Sequence, residues 1–334
     1  MKCRAGFRLE AAALAVMLPL LMVFSFTSCQ KEDTFSDDIL KKSVLRVAQE
    51  GEDVYVSRSY TATMDLQTVL APCGPNGLLG IRELKYYNPE KSTGISHVST
   101  SDWVGPYIVH ALHDENKPDA FTGGWHAYNG DASGTPTARL VSCELYIDGQ
   151  QKSGVYKEEE CREVVVKATH LIQAFNTKQT DGNGREVLQE NVAYRFHDDT
   201  LSITMQITAL EDVVIDNYYG LQSCYGGEVR MFTQDSVYTC HTDGYNGAMS
   251  RVSKASCTLP DGRQVVCLLD SVGLGTQNRY NVCTVDTNRQ FCFTSPFGKV
   301  YFRLVGEVGM PLQQGEQVFW SGAYIFRQSD ERED

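Results

Sequence analysis

The segment from Phe121 to Arg139, FTGGWHAYNGDASGTPTAR, brings together a histidine, a tyrosine, an asparagine, an aspartate, a tryptophan and an arginine with almost nothing aliphatic between them. Such a composition forms a loop, and a loop on a rigid scaffold can turn several polar side chains onto one ligand. The residue types suit β-elimination of a uronate. That reaction needs a base for the proton at C5, a proton donor to the leaving oxygen, and a cation or amide against the carboxylate. In this reading His126 is the base, Tyr128 the base or acid, and Arg139 with Asn129 the neutralisers. Trp125 and Trp103 offer flat faces for a sugar ring, and Asp131 an acceptor for its hydroxyls. The same side chains suffice for a non-catalytic glycan-binding surface. They can equally fill an Ω-like loop of a structural or adhesive protein, with Gly123 and Gly124 making its turns.

Other chemistries find less in the chain. Hydrolysis of a glycoside needs two carboxylates, and Asp114, Glu115, Asp131 and Asp216 lie near aromatic residues without any being singled out. No Gly-x-Ser-x-Gly elbow or Cys-His signature is present. His110 and His113 are three apart, which on a strand sends them to opposite faces, so no metal site and no cofactor is expected. The eleven cysteines include no C-x-x-C pair; an exported location permits disulfides, and apolar strands such as RQVVCLL also suit buried free thiols.

The elements that must position these residues are strands. From Asp53 onward, short runs rich in Val, Ile, Thr, Tyr and Phe are punctuated by Gly, Asp, Asn and Pro. Leu201 to Ile207 alternates apolar and polar residues, and Asp148-Gly149, Asp181 to Gly184 and Pro260-Asp261-Gly262 carry tight-turn chemistry. Thirteen or more strands without a βαβ rhythm predict an all-β fold, a large antiparallel β-sandwich, as one domain over residues 52–330.

Ahead of it, Lys2, Arg4 and Arg8 precede an apolar run from Ala11 to Phe26, an export signal too short for a comfortable membrane span. Phe26-Thr27-Ser28-Cys29 resembles a bacterial lipobox, which implies a signal peptide of residues 1–28, a lipid anchor on Cys29 and attachment to the outer membrane, facing the exterior. Residues 29–51 then read as a charged tether of the Bacteroides surface-lipoprotein type, with at most a short helix through Asp37–Glu50. The formal net charge of −12 excludes a nucleic-acid partner. It also opposes an acidic glycan unless a local basic group overrides the field.

Tyr194 to Leu221, YRFHDDTLSITMQITALEDVVIDNYYGL, resembles the central hairpin of galactose-mutarotase-like supersandwich domains, and Thr122 to Gly130 resembles the His-Gly-Gly loop with which mutarotases hold a sugar. The resemblance implies a supersandwich and a polysaccharide or oligosaccharide partner, with Tyr219 on the strand that faces the sugar. It departs from the family where Asp216-Asn217-Tyr218-Tyr219 lacks the catalytic histidine, and no match to the late glutamate base is found. Aldose epimerase activity is therefore not implied. The same fold also occurs in polysaccharide lyases and in sugar-binding domains.

Overall fold

The computed structural model describes residues 44–91, 93–114, 120–128, 132–178, 183–233, 235–243, 247–249, 252–270, 292–295, 297–306 and 309–329. Their strands form three antiparallel sheets. A six-stranded meander runs Thr93–Val98, Leu78–Asn88, Asp65–Cys73, Asp53–Ser59, Leu45–Glu50, and is closed by Glu159–Cys161. A ten-stranded sheet has Gln317–Gln328, Thr200–Ala209, Glu186–His197 and Glu163–Gln173 at its middle. The third sheet centres on Val213–Ser223, flanked along one edge by Lys299–Val305 and Met310–Leu312 and along the other by Tyr107–Ala111.

The predicted all-β architecture is observed. Its first strand is Leu45–Glu50, inside the segment expected to be a tether or a short helix. Leu45 and Val47 are buried on one face while Arg46 and Ala48 are half-buried on the other, and Gly51 at φ 62° turns the chain back so that Val47 pairs with Val56. Burying a period-two apolar face outweighs the segment's charged composition. The sheet therefore begins at Leu45, ahead of position 52.

Alternation places one face of the ten-stranded sheet in a core shared with both smaller sheets. A buried polar chain ties the three together at one point. Tyr107 of the third sheet donates its hydroxyl to Glu190 Oε1 at 2.6 Å, and His170 Nδ1 lies 3.1 Å from Glu190 Oε2. His170 Nε2 accepts from the Leu79 N–H of the first sheet at 3.3 Å. Because Nε2 accepts, the ring is neutral and its Nδ1–H is the donor to the carboxylate. The described cysteines are free thiols, most of them buried.

Candidate functional site

Four stretches of chain converge on a cleft of about 560 Å³. The segment Ser99–Pro106 supplies Ser101 and Asp102; the loop from Phe121 supplies Phe121 and His126; Val213–Ser223 supplies Tyr219 and Gln222; and the hairpin of Cys292–Ser295 with Lys299–Val305 supplies Phe293, Lys299 and Tyr301. The first stretch is fixed by Trp103, which is buried at 3 % exposure, donates Nε1–H to Ser99 Oγ and packs edge-on against Tyr324. The loop is fixed by Asn76, whose side-chain amide donates to the carbonyls of Gly124 and His126. Gly124, at φ 51°, is required: a β-carbon there would collide with the Asp102 carboxylate.

Asp102 is the centre of this corner. Its Oδ1 accepts the Trp125 N–H at 2.7 Å, while Oδ2 is buried without a hydrogen bond among the described residues and faces His126 Nε2 at 3.5 Å. A buried carboxylate beside an imidazole orients the ring and stabilises its protonated form, the arrangement a general base needs. Gln222 Oε1 is a second buried acceptor without a donor among the described residues.

The wall is aromatic and continuous. The His126 and Phe121 rings lie 5.2 Å apart, Phe121 and Tyr219 5.4 Å, and Tyr219 and Tyr301 5.0 Å. Phe293 stacks on Tyr301 at 4.8 Å because strand pairing sets the two directly opposite each other. Lys299 closes the cleft. It is buried at 4 % exposure, its Nζ donates to Ser101 Oγ at 2.7 Å and lies 5.0 Å from the Tyr301 ring, and no carboxylate among the described residues pairs with it. A cation withdrawn from water and, among the described residues, met by a hydroxyl and a ring and by no carboxylate is costly until an anion arrives.

Of the residues singled out from the sequence, His126 and Tyr219 line this cleft. Tyr128 does not: it is partly exposed, its ring stacks on Phe175 and meets Lys178 Nζ, and the same ammonium donates to its backbone carbonyl. Arg139 is exposed on the ten-stranded sheet and held by Glu186 at 2.6 Å. Trp103 supports the cleft from beneath and offers no face to a ligand. Trp125 is half-buried over Gly74, where a β-carbon would come within 3.0 Å of its ring. Asn129, Asp131 and Glu115 lie outside the described residues. Asp114 is paired with Arg185, and Asp216 with His110 at 2.6 Å. Among the described residues no cluster of metal-ligating side chains occurs. The residues missed from sequence are Phe121, within the loop itself, Asp102, which the packing of Trp103 sets beside it, and Phe293, Lys299 and Tyr301, which strand pairing brings there.

His97, at the rim, is held below the ordinary histidine value chiefly by burial and then by the Arg263 guanidinium. The unfolded chain therefore takes up this proton first on acidification. Stability from His97 is complete above the unfolded value of 6.5 and is lost as pH falls from there through the folded value. The melting temperature is expected to fall as pH drops below 6.5, and less so in His97→Gln. Equal falls in both proteins would remove His97 from this account.

No family model matches the chain, and no curated protein matches it. Solved structures do. A galactose 1-epimerase from Lactobacillus acidophilus NCFM is 8% identical with a TM-score of 0.40, over 86% of this chain and 99% of its own. The chain is similar to mutarotase folds. It is also similar to an alpha-galactosidase from Geobacillus stearothermophilus, at 9% identity and TM-score 0.39, and to a heparan sulfate lyase from Pedobacter heparinus, at 6% and 0.33. It covers 40% and 36% of those two chains and is matched over 86% and 83% of its own length. One fold hosts many chemistries, so substrate and residue roles rest on the cleft's own side chains.

Proposed function

We propose that the cleft takes a uronate-bearing saccharide and cleaves it by β-elimination. The observation that carries this reading is Lys299, a buried cation without a carboxylate partner among the described residues, in the same aromatic cleft as the His126–Asp102 pair. The substrate carboxylate sits against the Lys299 ammonium, which stabilises the charge that grows there as C5 loses its proton. The sugar faces stack on Tyr219 and Tyr301. His126 takes the C5 proton, the electron pair forms the C4–C5 double bond, the C4–O bond breaks, and the leaving oxygen takes a proton from the Tyr219 hydroxyl.

Incubation with uronate-containing and neutral polysaccharides tests this. Rising ultraviolet absorbance of an unsaturated product, with falling polymer size, is the expected result for the acidic substrates. Shortened chains without that absorbance would mean hydrolysis, and retention without cleavage would mean a binding module.

The same proposal sets the protein on the outer membrane through a lipid on Cys29, which lies outside the described residues. Metabolic labelling with a radioactive fatty acid is expected to mark the chain and to fail in Cys29→Ala; labelling that persists in the variant would sink the anchor.

A further inference from the structure

The face of the ten-stranded sheet that points away from the core carries a groove of about 600 Å³. Strand register organises its floor. Ser142, Thr169, Asn191, Gln206 and Phe319 are successive partners across five strands, a row about 19 Å long at the usual strand spacing. Beside it runs a second row of partners, Glu144, Lys167, Ala193, Thr204 and Ser321. Hydroxyl- and amide-bearing side chains make up most of the floor, with apolar surface between their polar tips, and small Ala193 and Ser321 keep it low.

The charges at its ends are already engaged. Lys167 stands opposite Glu144 and lies 4.5 Å from the Tyr146 ring, and Ser321 Oγ donates to Asp270 Oδ2 at 3.0 Å. With one cation against two carboxylates, on a chain of net charge −12, the groove repels a polyanion. A second copy of the chain, with the same net charge of −12, meets the same repulsion. What matches it is a ligand bearing many neutral hydroxyls and flat apolar faces. Phe319, 45% exposed at one end of the row, is a stacking face for such a ring.

We infer that this groove binds a neutral polysaccharide chain, laid across the strands from Ser142 to Phe319. The inference is independent of the cleft, which faces an anion. Gln206 supplies a donor and an acceptor to ring hydroxyls, Thr169, whose own proton goes to Asn191 Oδ1, supplies an acceptor, and the row accommodates several linked sugars.

Native electrophoresis of the full-length protein through gels containing galactomannan, mixed-linkage β-glucan, xylan or hyaluronan tests it. Retardation by at least one neutral polymer is expected, with apparent affinity reduced about tenfold or more in Gln206→Ala/Phe319→Ala and unchanged in Lys299→Met. Thr204→Glu, a carboxylate placed on the exposed floor, is expected to weaken retardation in the same way. No retardation by any of the three neutral polymers, retardation that neither groove variant changes, or a change of oligomeric state in the variants would each overturn the inference.

Discussion

Lys299→Met is expected to lower kcat/KM on a uronate-containing polysaccharide by about 10²- to 10³-fold, the range seen when one electrostatic contact to developing charge is removed. The melting temperature should hold or rise, because methionine fills similar space without a buried charge to solvate. Most mutations that damage a site in a protein core lower both numbers, so their separation is diagnostic. Lys299→Arg retains a cation with a different shape and should recover part of the activity. Unchanged turnover in the methionine variant would mean that the ammonium does not meet substrate. Loss of turnover together with stability would reduce it to a structural residue held by Ser101.

His126→Ala is expected to remove about 10²- to 10⁴-fold of kcat with near-ultraviolet dichroism unchanged, the span of a lost general base. Asp102→Asn should fall between this variant and wild type, since it leaves the imidazole in place but removes the carboxylate facing Nε2. Tyr128→Phe and Arg139→Ala should leave turnover near wild type, as both side chains are engaged outside the cleft. Equal losses in all four variants would point to a loop whose integrity, and no single base, controls the activity.

Strands and turns were legible in the sequence because their signals are local. Leu201 to Ile207 alternates along one strand, and Asp148-Gly149 takes positive φ at both residues where the chain turns. Leu45–Glu50 hid among charges, although Leu45 and Val47 already showed the period of two. Of the residues lining the candidate cleft, only His126 and Tyr219 were legible in the sequence. Nearness in sequence misled at Tyr128 and Arg139: past His126 the chain turns away toward Phe175 and the edge of the large sheet. Lys299, Tyr301 and Phe293 reach the loop through pairings between distant strands, and no local pattern marks them. Trp103 shows the converse, an aromatic residue suited to stacking that is buried to hold Ser101 and Asp102 in place.

The central claim is that the cleft holds an acidic sugar through Lys299. Its most direct test is calorimetric titration of the Gln206→Ala/Phe319→Ala protein, in which the cleft alone answers, with a uronate oligosaccharide and with the same oligosaccharide after reduction of its carboxyls. The acidic form should bind at least about tenfold more tightly, and Lys299→Met should abolish the difference. Equal affinity for the two forms, or a preference for the acidic form that survives Lys299→Met, would contradict it.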